Sequence, residues 1–383
     1  MSDCTLSEDI LSYLRESESE VFSLIESMCH IPAPSGMEDK RAVFCKKWLS
    51  ERGASGVYID DAKNVVYPIG CEDSSDIVVF LAHTDTVFSD TEPLPYSEDD
   101  EYIYSPGVGD DTASVAVMLN VAAYIAKYGL NPRCGVLIVA NSSEEGLGNL
   151  KGIRQIMKDY EGRISAVYSF DASYTYVVNK CVGSHRYRID VMTEGGHSFG
   201  AFGKRNAIHA AAELISRLYS IDVPIIENSK TTYNVGVIEG GTSVNTIAQS
   251  ASFLYEYRSD NADCIETMKA RFNYVVDDFS RDGEVKLRIS SVGERPCESG
   301  VDPTDLRVMT ERVKKICKTH SGLDVVEQSG STDSNIPMSQ GIPSVTLGVY
   351  LGDFSHTREE RVLKRSIPIG MRIAAELMLG YFE

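Results

Sequence analysis

Between positions 6 and 30, apolar residues recur at the spacing of one helix face (Ile10, Leu11, Leu14, Val21, Phe22, Leu24, Ile25, Met28), and the pattern stops at I-P-A-P-S-G. That periodicity predicts a helix closed by prolines and a glycine. Beyond it, short β-branched runs alternate with longer helical ones: a strand at 77–81, a helix at 115–127, a strand at 135–140, a helix at 149–159 and a strand at 166–170. Such alternation predicts the α/β class, with a mixed, mainly parallel sheet flanked by helices. Ligands of these sheets gather beyond the carboxyl ends of the strands.

From about 182 the pattern changes. Residues 185–192 alternate like a half-exposed strand, 206–219 form an amphipathic helix pattern, 231–238 and 250–258 are strand-like, 263–280 is helical and 284–291 is strand-like. The order βαββαβ predicts a compact α+β unit on an antiparallel sheet. After Pro296 the earlier style returns, with a helix at 302–320, a strand at 344–347 and a closing helix from about 359 to 382. The expected organisation is a main domain made of 1–181 and 293–383, interrupted by an inserted unit at 182–292.

A length of 383 residues suits two domains, and 43% apolar with 24% charged residues is the composition of a globular protein. Thirty-seven basic against 56 acidic residues give a net charge of −19, an acidic surface that repels nucleic acid and anionic membrane. Nine cysteines are dispersed from Cys4 to Cys317 with no C-x-x-C, which fits reduced thiols packed as small apolar residues rather than metal ligands. The opening M-S-D-C-T-L-S-E-D-I is acidic and lacks a basic-then-apolar leader, and no run reaches the roughly 18 apolar residues that span a bilayer. A cytoplasmic protein with neither a nucleic-acid nor a membrane partner is expected.

The polar residues that punctuate the apolar runs carry the chemistry. His83 and Asp85 lie two apart in H-T-D-T-V at a strand end, on one face of the chain. A carboxylate beside a metal-binding imidazole can hold the ring's other N–H and fix its tautomer. Asp110 follows the glycine-rich G-V-G, which lacks the third glycine of a dinucleotide fingerprint. Glu144 and Glu145 follow the apolar run V-L-I-V-A-N; two adjacent carboxylates in low dielectric repel, and a cation relieves one while leaving the other free as a base. Asp171 ends A-V-Y-S-F, and His356 sits in F-S-H-T-R. Singly, these residues have plainer uses: helix capping for the aspartates, a solvated loop for the glutamates, a surface side chain for His356. Their shared order, H-x-D, D, E-E, D, H, with each station at a strand end or in a loop, predicts a pair of metal ions. Nitrogen and oxygen donors without cysteine suit zinc, and histidine disfavours calcium.

This constellation resembles the co-catalytic zinc exopeptidases that include peptidase T, glutamate carboxypeptidase, aminoacylase and succinyl-diaminopimelate desuccinylase. The likeness extends over nearly the whole chain, inserted unit included, and in character it is nearest to peptidase T. It implies a zinc-exopeptidase-like fold with a ferredoxin-like lid and dimerisation domain. It implies two Zn2+ ions per subunit, His83 and Asp171 on one, Glu145 and His356 on the other, and Asp110 bridging them across a cis Asp110–Asp111 bond. Asp85 would orient His83, and Glu144 would act as general base. In the lid, G-G-H-S-F-G contains His197, which in the family reaches a neighbouring subunit's site and steadies the oxyanion. Asn245 in G-G-T-S-V-N and Arg258 in Y-E-Y-R-S match positions that hold substrate oxygens, arginine being suited to a carboxylate. A homodimer through the lid follows from the same resemblance, as does a likeness of the 331–335 segment S-T-D-S-N to a loop near the second zinc.

One departure is visible: after the bridging aspartate the family carries lysine or methionine and then glycine-rich residues, whereas here the run is Asp111-Thr112-Ala113-Ser114. That bears on substrate preference more than on metal binding. The expected activity is zinc-dependent hydrolysis of short peptides from the amino end. The alternatives are an N-acyl amino acid deacylase or a carboxypeptidase of the same family, and, in another class, a non-catalytic metal-binding protein on the same fold.

Overall fold

All seven residues of Ile77–His83 and all seven of Gly135–Asn141 are buried, as strands covered on both faces must be. The computed structural model, which describes residues 6–383, pairs these two strands in parallel. Ile164–Phe170 joins Ile77–His83 in parallel on its other edge, and Ser344–Leu347 extends the parallel core. The eight-stranded sheet runs Tyr58–Ile59, Val65–Ile69, Gly135–Asn141, Ile77–His83, Ile164–Phe170, Ser344–Leu347, Tyr176–Cys181, Val326–Gly330. Antiparallel joins at Val65–Ile69 and between Ser344–Leu347 and Tyr176–Cys181 make it mixed, as the α/β reading requires. The alanine-rich helix Ser114–Tyr128 is buried from Ser114 to Ile125 and stops where Gly129 takes a left-handed conformation.

Several local expectations are corrected. The amino-terminal helix is two, Glu8–Glu16 and Glu18–Cys29, broken at Ser17, whose buried hydroxyl donates to the side-chain oxygen of Asn120. The closing helix is Ile367–Leu379 and does not begin near 359. Arg361–Leu363 is instead a strand, paired antiparallel with Tyr102–Tyr104 in a small second sheet. The helix Asp39–Ser50 had no clear signal, because its buried face includes Arg41 among Ala42, Cys45, Trp48 and Leu49.

The chain divides into two compact units, one formed by residues up to Cys181 with Glu298–Glu383, the other Val182–Cys297. The smaller unit runs past 292 because the strand Lys286–Arg295 stays paired with Gly183–Met192 as far as Arg295. Its four strands lie in the order Thr231–Gly240, Ser250–Ser259, Gly183–Met192, Lys286–Arg295, every pairing antiparallel. The helices Ala207–Leu218 and Ala262–Phe279 bury Leu214, Met268 and Phe272 in one cluster with Ile189, Val191, Phe253 and Tyr255 of the sheet. Both helices begin at asparagine caps, Asn206 and Asn261, whose side chains accept first-turn N–H bonds.

Candidate metal centre

Strand ends of the parallel sheet deliver four of the expected residues: His83 closes Ile77–His83, Glu144 and Glu145 follow Gly135–Asn141, and Asp171 follows Ile164–Phe170. Loops deliver the other two. Asp110 lies in the turn Val108–Ala113 that leads into the helix Ser114–Tyr128, and the Asp110–Asp111 peptide is cis. His356 lies at positive φ between the strands Gly352–Asp353 and Arg361–Leu363. Asp171 is anchored by its N–H, which donates to Leu347 O at 2.9 Å. Gly348, the residue just after the strand Ser344–Leu347, passes so near the Asp171 loop that a Cβ would stand 1.8 Å from Ala172 O. Only glycine allows the approach.

The six side chains converge. His83 Nδ1 lies 3.0 Å from the Asp85 carbonyl, which can only accept, so Nδ1 carries the proton and Nε2 faces Asp110 Oδ1 at 3.0 Å. His356 Nε2 lies 2.9 Å from Asp110 Oδ2 and 3.0 Å from Glu145 Oε1. Asp110 therefore presents one oxygen to each histidine. Ligating atoms of His83, Asp110 and Asp171 fall within 4.8 Å of one another, and so do those of Asp110, Glu145 and His356. A third overlapping group is His83, Glu144 and Glu145. Donors around a tetrahedral ion with bonds of about 2.0–2.2 Å sit roughly 3.3 Å apart, so these spacings suit such an ion.

The electrostatics lead the same way. Burial, followed by the charge of Asp110, pushes the Asp171 carboxyl well above its ordinary value. Burial and Asp110 likewise raise Glu145 to about 7, despite its bond to His356. Burial would raise Asp110 too, but the bonds to His356 and His83 outweigh it and hold the carboxyl below the usual range. The bonds to Asp110 and Glu145 raise His356 to about 11. Crowded carboxylates and histidines that share protons are what a divalent cation replaces. The donor set fits a metal centre.

The supports are more extensive than the sequence suggested. The Asp85 carboxylate is 3.5 Å from His83 Nδ1, while its shorter bonds go elsewhere. It accepts the N–H of Glu144 and of Glu145, both at 2.9 Å, and the Ser35 hydroxyl at 2.6 Å. Asp85 thus fixes the turn bearing both glutamates as much as it orients His83. Buried Glu360 accepts three backbone N–H bonds, from Gly107 at 2.7 Å, Gly109 at 2.9 Å and Asp110 at 2.8 Å. Gly109 is required there, since a Cβ would meet Tyr350 Cε2 at 2.8 Å and Glu360 Oε1 at 3.0 Å. Asp111 does not cap the following helix; its carboxylate accepts the His83 N–H at 3.0 Å. Buried Glu38 accepts from the Ser143 N–H and hydroxyl, and Asn141 donates to Asp333 at 2.7 Å. Arg41 donates to Thr84 O, Met28 O and Thr112 Oγ1. None of these supports announces itself locally; each is a polar residue whose partner is distant in sequence.

Of the expected lid residues, His197 and Asn245 lie together on the smaller unit. Gly196–His197 pairs with Thr246–Ile247, and Ser198 N–H donates to Asn245 O at 3.0 Å. His197 is exposed, with Nδ1 accepting N–H bonds from Phe199 and Gly200. Arg258 stands apart from them on Ser250–Ser259, its Nε 3.0 Å from Glu256.

Residues 79–380 match the model of peptidase family M20/M25/M40. The chain belongs to this family. It is a metallohydrolase of peptide or amide bonds. It is 23% identical to succinyl-diaminopimelate desuccinylase of Nitrosomonas eutropha over 56% of this chain and 61% of that one. It is 25% identical to acetylornithine deacetylase of Myxococcus xanthus over 56% of each chain. It thus spans less than two thirds of either enzyme. An uncharacterised Bacillus subtilis protein, YqjE, is 23% identical over 79% of this chain and 80% of its own. Among solved structures, a tripeptidase of Staphylococcus aureus superposes with a TM-score of 0.70 at 23% identity, covering 94% of this chain and 97% of that one. The dipeptidase Dug1p of Saccharomyces cerevisiae gives 0.76 at 16% identity, covering 97% and 98%. Both share the M20 fold. Among the described residues no helix is long and apolar enough to cross a membrane.

Proposed function

We propose that this M20 chain is a two-zinc exopeptidase of the tripeptide aminopeptidase type. The carrying observation is the position of Asp110, with one carboxylate oxygen on His83 and the other on His356. His83 and Asp171 would hold one zinc, Glu145 and His356 the other, and Asp110 both. When bound, the ions would supply Lewis-acid polarisation of water and of the scissile carbonyl. Glu144 takes the proton of the attacking water and passes it to the leaving nitrogen. Asp85 and Glu360 hold the loops that aim these groups. His197, Asn245 and Arg258 are assigned to substrate oxygens, with His197 serving a second copy's site. Dimerisation through the smaller unit is supported by Thr231–Gly240, the outermost strand of its sheet, where Val237 and Ile238 are exposed. We take the domain division as catalytic and lid, and the setting as cytoplasmic, in keeping with eight described cysteines that are all free thiols.

A deacylase or carboxypeptidase acting on N-acyl amino acids or short peptides is the second reading, favoured by the names of the desuccinylase and deacetylase relatives. Metal analysis with a panel of tripeptides, N-acyl amino acids and end-blocked peptides separates the readings. The expected outcome is about two zinc ions per chain and cleavage that requires a free amino terminus. Glu144→Ala should keep the metal and lose turnover at least a hundredfold. Unchanged hydrolysis in that variant, or a purified protein active without divalent metal, would sink the mechanism.

A further inference from the structure

Two buried oxygens near Glu144 meet no hydrogen-bond donor, and they belong to side chains already joined to each other. Asn141 ends the strand Gly135–Asn141, three residues before Glu144, and Asp333 lies in the 331–335 segment that leads into the helix Asn335–Ser339. Asn141 is wholly buried and Asp333 is 1% exposed. Asn141 Nδ2 donates to Asp333 Oδ2 at 2.7 Å, while Asn141 Oδ1 and Asp333 Oδ1 have no partner. An ionised Asp333 would therefore rest on one neutral donor. The charged groups facing it are the carboxylates of Glu144 and Asp85 and the imidazole of His83. Burial first, and then the charge of Glu144, raise the Asp333 carboxyl to about 7. Its segment is fixed by neutral bonds, so the carboxyl cannot swing out to water. The Thr332 and Ser334 hydroxyls bond to that of Thr346 at 2.7 and 2.8 Å, and the Thr332 N–H donates to Asn335 Oδ1 at 2.9 Å. A buried charge so poorly paired takes up a proton instead.

We infer that Asp333 is held as a neutral carboxylic acid that closes a two-bond ring with the Asn141 carboxamide: the Asp333 O–H donates to Asn141 Oδ1, and Asn141 Nδ2 donates back to Asp333 Oδ2. One proton then satisfies both oxygens, and the soft Cβ–Cγ torsions of the two side chains let the ring become planar. The ring clamps the strand end that leads to Glu144 and Glu145 against the 331–335 segment, which makes Asp333 a positioning residue. That role rests on Glu144 as the general base; the ring itself does not. Infrared difference spectra of the zinc-loaded full chain, parent against Asp333→Asn, should show one carboxylic-acid C=O band at pH 6 that fades towards pH 9. Absence of that band at pH 6 overturns the ring, whatever the activity. Asp333→Asn can form the corresponding amide–amide ring with no proton to lose. Asp333→Leu should lower kcat about tenfold or more with both zinc ions retained, and Asp333→Asn should recover most of it at pH 6. The fall in kcat of the parent from pH 7 to pH 9 should be at least about threefold smaller in Asp333→Asn. Equal alkaline falls in the two proteins, or full kcat in Asp333→Leu, overturn the positioning role. A parent that shows the acid band but cleaves no substrate removes the hydrolase reading and the positioning role with it, and leaves the ring standing.

Discussion

Replacing Glu360 by glutamine isolates a support of the metal centre that touches neither metal nor substrate. Its two oxygens accept N–H bonds from Gly107, Gly109 and Asp110 at 2.7, 2.9 and 2.8 Å. Both oxygens must accept. A glutamine can keep the Gly109 and Asp110 bonds on its single oxygen, but then turns an NH2 toward the Gly107 N–H, donor against donor. One hydrogen bond to a charged acceptor is lost, worth about 1.5–3 kcal/mol, and the two that survive weaken to about 1 kcal/mol each. Relief from burying a carboxylate, whose value burial and then Asp110 have pushed to about 7, offsets part of this. A net loss of about 1–3 kcal/mol in holding the Asp110 turn follows, which equals roughly a five- to 150-fold weaker hold on zinc. Competition with a chromophoric chelator measures it directly, and because Asp110 faces both donor sets, both ions should be affected. A Glu360→Gln protein that binds two zinc ions as tightly as the parent would refute the reasoning, whatever its thermal stability.

Two further outcomes follow from the same geometry. Asp85→Asn should weaken zinc binding and lower kcat together, because the N–H groups of Glu144 and Glu145 bond to different oxygens of Asp85 and an amide keeps only one of those acceptors; an effect confined to zinc affinity, with kcat retained at saturating metal, would leave Asp85 only the orienting of His83. The stabilisation conferred by zinc should also grow with pH. In the metal-free protein burial, with Asp110 next, raises Glu145 to about 7, above an unfolded value near 4.3, so the stability it contributes is full below about pH 4 and lost as the pH rises through 7. The bonds to Asp110 and Glu145 similarly raise His356 to about 11, so its contribution is full below about 6.5, begins to fall above it and is lost as the pH rises through about 11. Zinc needs both groups deprotonated and supplies the missing charge as they lose their protons. The gap in urea midpoint between zinc-loaded and metal-free protein should therefore widen from pH 5 to pH 7.5; a constant gap contradicts the assignment of Glu145 and His356 as donors.

Sequence alone determined the α/β class, the antiparallel insert and the stations His83, Asp110, Glu144, Glu145, Asp171 and His356, because each rests on a local pattern: strand and helix periodicity, or a polar residue ending an apolar run. It misplaced the closing helix, since Arg361–Leu363 becomes a strand only by pairing with Tyr102–Tyr104 far earlier in the chain. The same long-range pairing sets Glu360 beneath the Asp110 turn, which no local signal could show. Tertiary structure also decided that Asp85 holds two glutamate N–H groups, that Asp111 bonds to the His83 backbone rather than capping a helix, and that Arg41 is a buried cation among backbone carbonyls. Ligand types follow from residue chemistry and so are written along the chain. The hydrogen bonds that hold ligands in place join residues distant in sequence, and only the packed structure determines them.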